Sequence, residues 1–295
     1  MLPTNVSAEI DWIKNDRLHG ARELTVKALQ GLKCSIEQFD THNEEELRKF
    51  LLNASKAFAQ ARPSMISITN SVSTVLYWIM NRDHSERELR KCILDEINLQ
   101  LIRLEKSLDN VVSKAASLVK DKSTVVTCSY SSTVIQAFIK VKKLGKSFKV
   151  LALHSPSSNG SLDYGILTCK KLNGVGVESE VVNYESIASL QSHIGFVGAD
   201  SIYPDGSVLN GSPTLQLAQK ALKDHSPFYV VSETWKINPL PLPGSKPVTE
   251  SGMDTVPAEF ISAIVTEFGL LKPRNVNVLA VEFSKRLKEL NCIEL

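Results

Sequence analysis

The class of fold is set by residues 124–143, which read TVVTCSYSSTVIQAFIKVKK. The first five of these residues are a short β-branched run, which is typical of a strand. The polar turn Ser129-Tyr130-Ser131-Ser132 follows, and residues 134–143 then repeat apolar positions at the spacing of a helix. The sequence therefore predicts a strand, a polar turn and a helix in direct succession.

The same alternation recurs toward the C-terminus. Further short apolar runs, each predicted as a strand, are residues 148–153, 177–182, 194–197, 228–231 and 261–265. Segments 165–172 and 215–222 lie between them and suit helices. Alternating strands and helices imply a mostly parallel sheet with right-handed crossovers. We therefore predict a Rossmann-like α/β domain over residues 121–295.

Before residue 121, the apolar residues of the chain repeat with a different spacing. They recur at steps of three and four, the spacing of helix faces that pack on a core. The first such series comprises Ile10, Ile13, Leu18, Ala21, Leu24, Ala28, Leu29 and Leu32. Residues 85–119 predict one long helix, and Pro63, with Ser64 as an N-cap, predicts a helix boundary. We expect an all-helical N-terminal domain over residues 1–120.

Composition and charge narrow the classes of function. The 295 residues are 43% hydrophobic, which is enough apolar sequence for two moderate cores. The net charge of +2 favours neither a nucleic-acid-binding surface nor attraction to an anionic membrane. No run approaches the ~18 apolar residues of a membrane span, and the opening MLPTNVSAEIDWIKND lacks the apolar stretch of a signal peptide. We expect a cytoplasmic protein.

The spacing of cysteine and histidine indicates neither a disulfide framework nor a metal site. The five cysteines contain no CxxC pair and are Cys34, Cys92, Cys128, Cys169 and Cys292. The six histidines show no paired ligand spacing. We therefore expect a reducing compartment, no metal ion and no cofactor.

Polar residues follow three of the predicted strands. Ser129 to Ser132 follow the first strand, Asp200 follows the fourth, and Lys236 lies shortly after the fifth. Ligands of parallel sheets bind beyond the carboxyl ends of the strands, so we expect these residues to converge. A serine-rich turn at a helix N-terminus, together with a lysine, suits a phosphate group. The turn equally suits a plain N-cap, and Asp200 suits a plain turn residue, so the residues alone leave these alternatives open.

Several segments in a fixed order resemble one known family. They are VGADSI at 197–202, DGSVLN at 205–210, PFYVVSETWK at 227–236, and DTVPAEFI at 254–261 leading into VTEFG at 265–269. Weaker matches are RLHGA at 17–21 and the pair Arg62-Pro63. Over nearly its whole length the chain resembles the superfamily that joins the α, β and δ subunits of eukaryotic initiation factor 2B to ribose bisphosphate isomerase and methylthioribose phosphate isomerase.

For the isomerases, the resemblance implies conversion of an aldose phosphate to a ketose by two side chains. One is a cysteine in the turn after the first strand, and the other is the aspartate of the Gly-Ala-Asp motif, which Asp200 matches. Ser129 stands where that cysteine is expected, and Cys128 stands where histidine is usual. A serine hydroxyl is a much weaker acid than a thiol, whose pKa is about 8.5, so it cannot readily exchange a proton near neutral pH. Cys128 would replace the missing thiol only if the turn shifted by one residue, which would point its side chain to the opposite face.

Other positions of the resemblance concern a phosphorylated ligand. The matching ligand-binding candidates are Gly20, Ala21, Arg62, Ser131, Asn210 and Lys236. Gly211 replaces a lysine of the isomerases, and His19 replaces an arginine. One positive charge is therefore lost and a second depends on pH, while part of the anion-binding capacity remains.

Three functions stay open at this point. The one we favour is a non-catalytic relative of the regulatory subunits of initiation factor 2B, which would act through assembly and bind a phosphorylated sugar or nucleotide. The second is an aldose–ketose isomerase acting on a ribose phosphate, with Asp200 and either Ser129 or Cys128 as catalytic residues. The third is a structural relative with a vestigial pocket. The resemblance also implies a homodimer through the C-terminal domain, larger oligomers, and other initiation factor subunits as partners.

Overall fold

The computed structural model describes residues 4–16, 18–81, 88–157, 160–239 and 252–288. The chain divides into two compact units. Unit 1 comprises the chain up to Lys106 together with the chain from Val281 onward, and unit 2 comprises Ser107–Ala280. The domain boundary after residue 120 stays a prediction, because this division does not test whether either part folds by itself.

Unit 1 is helical in the residues that the structure describes. Its helices are α1 Thr4–Asn15, α2 Ala21–Gln38, α3 Glu44–Ala61, α4 Ile66–Met80 and the first part of α5 Leu89–Leu118. The predicted apolar series forms the core, since Leu24, Leu29 and Leu32 of α2 are all buried. The long helix predicted from residue 85 begins outside the described residues, and its described part is α5.

Two details of the helical region differ from the sequence prediction. Leu18 is 55% exposed, because it lies in a bend before α2 and not on the buried helix face. Ser64 is not the N-cap of α4, because the Met65 N–H donates to the Arg62 carbonyl at 2.9 Å and the helix begins one residue later than a Ser64 cap would allow. The boundary itself is confirmed, since α3 ends at Ala61.

Unit 2 alternates strands and helices. The strands are β1 Ser123–Thr127, β2 Phe148–Leu153, β3 Ser179–Val182, β4 Ile194–Val197, β5 Ser201–Ile202, β6 Val208–Gly211, β7 Phe228–Val231, β8 Met253–Val256, β9 Ala263–Thr266 and β10 Gly269–Leu271. The helices are α6 Ser132–Lys143, α7 Tyr164–Asn173, α8 Thr214–Lys223 and the start of α9 Val276–Lys288. Short 3₁₀ turns include Thr234–Lys236, which begins three residues after the end of β7.

Seven strands form one sheet in the order β10-β9-β7-β4-β1-β2-β3. Every neighbouring pair is parallel except β9 and β10. This confirms the predicted mostly parallel sheet. The sequence prediction missed a second, antiparallel sheet in the order β5-β6-β8, because its strands are only two to four residues long and show no apolar alternation.

Aromatic packing fixes α6 against the parallel sheet. Phe138 of α6 is fully buried, and its ring stacks on Phe196 of β4 with centroids 6.1 Å apart and an interplanar angle of 8°. On its other side the ring lies 6.0 Å from that of Phe148 in β2. Because α6 is held in this way, the serine turn that precedes it has a fixed position beyond the end of β1.

We expect Phe138→Ala to destabilise unit 2 by about 3–5 kcal/mol, the usual range for removing a buried phenylalanine ring. The local opening free energy of β1 and β2 is measured by native-state hydrogen exchange on peptides that cover them. The matched control is Leu144→Ala, at the C-terminal end of the same helix, where the side chain is 55% exposed and a change within about 0.5 kcal/mol is expected. Equal losses in the two variants would contradict the packing argument.

Candidate functional site

The chain reverses its direction across the sheet between β1 and β4. β2 and β3 lie on one side of β1, whereas β4, β7 and β9 lie on the other. Connections that leave two neighbouring parallel strands in opposite directions open a crevice beyond the carboxyl ends of those strands. Ser129 follows β1 and Asp200 follows β4, so both predicted site residues come from the rim of this crevice.

Hydrogen bonds hold the serine turn in one conformation. Ser129 has a φ of 62°, in the left-handed region that residues other than glycine rarely adopt. Its N–H donates to Ser155 Oγ at 2.9 Å, and its carbonyl accepts from the Thr168 hydroxyl at 3.3 Å. Ser131 Oγ accepts from the Val134 N–H at 3.3 Å and so caps α6. The capping alternative is realised at Ser131, and the positive end of α6 lies beside the turn.

Two glycines allow the serine turn to approach neighbouring strands. A Cβ atom on Gly198, directly after β4, would lie 2.6 Å from Ser131 Oγ. A Cβ atom on Gly211, at the end of β6, would overlap Ser129 Oγ. The glycine at position 211 therefore has two effects: it removes the positive charge of the lysine expected from the resemblance, and it leaves space for the Ser129 side chain. A side chain at this position would force Ser129 to shift from its observed placement.

A buried polar network surrounds Cys128. The Thr214 hydroxyl donates to the Gly211 carbonyl at 2.6 Å and accepts from Asn210 Nδ2 at 2.9 Å. Cys128 Sγ lies 3.2 Å from the same Thr214 oxygen. A hydroxyl has one proton to donate, and the Gly211 carbonyl takes it. The thiol is therefore the donor to Thr214, and Cys128 is held in its protonated form.

Burial raises the pKa of Cys128 to about 12, and the charge of the nearby Asp254 carboxylate adds to this effect. The thiol thus stays neutral throughout the physiological range. This environment suits a small buried side chain and is the opposite of the electropositive surroundings that activate a cysteine.

The N-terminus of α8 is already occupied by a carboxylate of the protein itself. Asp254 of β8 accepts from the Ser212 hydroxyl at 2.6 Å and from the Leu215 N–H at 3.0 Å. A carboxylate at this end of a helix satisfies free N–H groups and complements the helix dipole. Of the two helix N-termini near the crevice, α6 is the one capped by a neutral serine.

Lys236 contributes positive charge next to Asp200. Its Nζ donates to the Ala199 carbonyl at 2.7 Å, and the residue is only 5% exposed. Asp200 is half-buried, and its N–H donates to the Leu209 carbonyl at 2.8 Å. Ser131 thus lies against Gly198 at the end of β4, Lys236 reaches the Ala199 carbonyl beside Asp200, and Asn210 lies in β6.

The remaining candidates lie in unit 1, around the connection between α1 and α2. Gly20 is the N-cap of α2, and Ala21 is the first residue of that helix. Arg62 Nη1 donates to the Asp16 carbonyl at 2.6 Å, and His19 Nδ1 lies 2.8 Å from the Asp16 carboxylate. Burial alone would raise the pKa of Asp16, but its bonds with His19 outweigh that effect and lower it. Arg17, part of the predicted RLHGA match, lies outside the described residues.

The described residues contain no group of three or more His, Cys, Asp or Glu side chains placed to hold a metal ion. None of the described helices combines the length and apolar character needed to cross a membrane.

Residues 17–251 match the pattern of the Initiation factor 2 subunit family. The chain belongs to this family. Within the Initiation factor 2 subunit family, a translation initiation factor eIF-2B subunit 2-like protein of Pyrococcus furiosus is 28% identical over 92% of this chain and 98% of its own. A ribose 1,5-bisphosphate isomerase of Methanocaldococcus jannaschii is 27% identical over 89% of this chain and 90% of its own.

Solved structures of initiation factor 2B proteins share the fold. The translation initiation factor eIF-2B of Pyrococcus horikoshii OT3 superposes with a TM-score of 0.81 at 26% identity, covering 92% of this chain and 98% of that chain. A chain of the tetrameric eIF2B-beta2-delta2 complex from C. thermophilum gives a TM-score of 0.81 at 21% identity, covering 96% and 95%. At 21% identity the second likeness concerns the fold alone.

Sequence reasoning missed several residues that shape the site. Ser155 and Thr168 hold Ser129 from elements that carry no matching motif. Gly198 and Asp254 lie within matched segments, but their roles depend on contacts with residues far away in the chain. The Gly-Ala-Asp match was the only available signal for Gly198, and it did not reveal the contact with Ser131.

Gly211→Ala should displace the serine turn, because its Cβ would overlap Ser129 Oγ. We expect a loss of about 1–3 kcal/mol, the usual cost of overpacking. Ser129→Gly removes the opposing atoms and tolerates the positive φ, so Gly211→Ala should cost less in that background. A double-mutant cycle of unfolding free energies measures this coupling. Additive effects would contradict the proposed contact.

Cys128 should resist alkylation in the folded protein, because it is buried and protonated. Iodoacetamide labelling at pH 8 followed by peptide mass spectrometry should modify the partly exposed Cys34 and leave Cys128 unmodified. Labelling in guanidinium chloride provides the control, since both thiols should then react. Rapid modification of folded Cys128 would show that its thiolate is accessible.

Proposed function

We propose that this chain is a non-catalytic, regulatory member of the Initiation factor 2 subunit family. In this proposal it binds a phosphorylated sugar or nucleotide beyond the carboxyl ends of β1 and β4. It acts in the cytoplasm by assembling with copies of itself through the C-terminal domain and with other initiation factor subunits. The proposal assigns it no cofactor, no direct contact with nucleic acid and no membrane attachment.

The observation that carries the non-catalytic assignment is the environment of Cys128. Aldose–ketose isomerisation moves a proton between neighbouring carbon atoms, so it needs an acid or base that titrates near neutral pH. The Cys128 thiol is committed as a donor to Thr214, with its pKa raised to about 12 by burial. The other candidate in the turn, Ser129, offers an alcohol, and Gly211 supplies no charge to activate it.

Three features of unit 2 support binding of an anion. The N-terminus of α6 adjoins the serine turn and provides backbone N–H groups together with the positive end of the helix dipole. Lys236 adds a full positive charge, and an ammonium group carries three donors. Asp254 occupies the N-terminus of α8, which leaves α6 as the helix end that suits a phosphate.

Two observations support the proposal that the chain assembles into oligomers: the name of a relative and the fold shared with a chain of a tetrameric complex. The Pyrococcus furiosus relative is named for an eIF-2B subunit, and a chain of the tetrameric eIF2B-beta2-delta2 complex has the same fold. Closed homo-oligomers are the usual form of assembly for related subunits. A homodimer through the α/β domain is therefore the smallest assembly that we propose.

An isomerase remains the second candidate, and one observation favours it. Asp200 lies next to the Lys236–Ala199 contact, and a relative that is 27% identical is named ribose 1,5-bisphosphate isomerase. In this alternative Asp200 carries the proton, Ser129 or Cys128 assists, and a ribose phosphate is the substrate.

The test is calorimetric titration of the purified protein with ribose 1,5-bisphosphate and with AMP, followed by phosphorus NMR of the recovered ligand. We expect saturable binding of at least one of them and its recovery unchanged. Lys236→Met should weaken binding by about tenfold or more, equivalent to ~1.4 kcal/mol. The exposed Lys223→Met is the matched control and should bind as the wild type does.

Other outcomes distinguish the alternatives. Conversion of ribose 1,5-bisphosphate to its ketose, abolished by Asp200→Asn, would establish the isomerase and refute the non-catalytic proposal. Absence of binding with both ligands, in protein shown to be folded by circular dichroism, would favour a vestigial pocket.

A further inference from the structure

We infer that Glu267 is the positioning residue for Lys236: its carboxylate clamps the turn Thr234–Lys236 so that the ammonium group stays beside Ala199 and Asp200. This inference rests on the proposed function in one respect, namely that Lys236 contacts the anion. Glu267 itself lies one residue beyond β9, on a different strand from the lysine.

The clamp consists of two hydrogen bonds to one residue. Glu267 Oε2 accepts from the Thr234 N–H at 3.0 Å, and Oε1 accepts from the Thr234 hydroxyl at 2.6 Å. Both oxygens of the carboxylate are thus directed at the first residue of the 3₁₀ turn. Two acceptors on one rigid group fix the orientation of Thr234 as well as its position.

The turn transmits this position to Lys236. The Lys236 N–H donates to the Glu233 carbonyl at 3.2 Å, and the Ile237 N–H donates to the Thr234 carbonyl at 2.9 Å. Only Trp235 separates the clamped Thr234 from Lys236, whose Nζ reaches the Ala199 carbonyl at 2.7 Å. A shift of Thr234 would therefore move the ammonium group away from the end of β4.

Glu267 occupies a position that is costly for a carboxylate. It is 9% exposed, and Glu233, with 2% exposure, lies close enough to act on it electrostatically. Burial raises the pKa of Glu267, the bonds from Thr234 partly offset that effect, and the charge of Glu233 adds to it. An apolar side chain would fill such a position at a lower desolvation cost. An apolar side chain, however, could not accept the two hydrogen bonds from Thr234, and these bonds explain why a carboxylate occupies the position.

Amine labelling tests the inference without any ligand. Acetylation of the folded protein with N-hydroxysuccinimide acetate, read by peptide mass spectrometry, should leave Lys236 protected in the wild type. In Glu267→Ala we expect the rate at Lys236 to rise by about tenfold or more, because local opening of the turn exposes the amine. Lys223, which is exposed, provides the internal reference for reagent activity.

Glu267→Gln is the conservative variant. Its amide oxygen can accept from the Thr234 N–H while its NH₂ donates to the Thr234 hydroxyl, which can act as an acceptor. We therefore expect Lys236 to remain protected in Glu267→Gln. Thr234→Val removes one of the two bonds and should give an intermediate rate of labelling.

Phe138→Ala separates positioning from general destabilisation. It weakens the same unit at the interface of α6 with the sheet, and it leaves every group of the clamp in place. Lys236 should stay protected in this variant. The inference is overturned if Glu267→Ala leaves the Lys236 rate unchanged, or if Phe138→Ala raises that rate equally.

Affinity for ribose 1,5-bisphosphate gives the second measurement. Glu267→Ala should weaken binding as much as Lys236→Met does, and Glu267→Gln should restore it. If the wild type binds no ligand, the proposed function fails, and the labelling result still decides whether Glu267 positions Lys236.

Discussion

The close approach of the serine turn to the ends of β4 and β6 is the constraint on which the rest of the site depends. Ser131 occupies the space that a Cβ atom of Gly198 would take, and Ser129 does the same at Gly211. The absence of a side chain at both glycines lets the turn pack directly against the strand ends, and α6 follows directly from it. These two glycines and the packing of Phe138 together therefore position the N-terminus of α6, which a neutral serine caps.

Charge is distributed around that turn in a consistent way. The network of Cys128, Asn210 and Thr214 is buried, hydrogen-bonded and neutral. The negative charge of Asp254 is placed at the N-terminus of α8, where backbone N–H groups satisfy it. Lys236 is directed toward the end of β4 by a turn that a buried carboxylate holds. This distribution of charge is the physical basis on which we propose a binding function in preference to a catalytic one.

Sequence reasoning predicted the principal elements because their signals are local. β2, β4 and β7 have the predicted bounds, since each is a short, mostly apolar run that is largely buried in the sheet. It placed the starts of β3 and β9 two residues early, because Val177 and Ile261 are buried without belonging to a strand. The small sheet of β5, β6 and β8 was missed. Strands as short as these show no apolar periodicity, and they are defined by backbone pairing with distant parts of the chain.

By itself the sequence determined the fold class and the family, because apolar periodicity and ordered motifs are properties of neighbouring residues. Only the tertiary structure decided that Gly211 makes room for Ser129 and that the Cys128 thiol is a committed donor. It also decided that Glu267 holds the turn of Lys236. These features join residues that lie 82, 86 and 33 positions apart in the chain, and no local pattern records a contact across such distances.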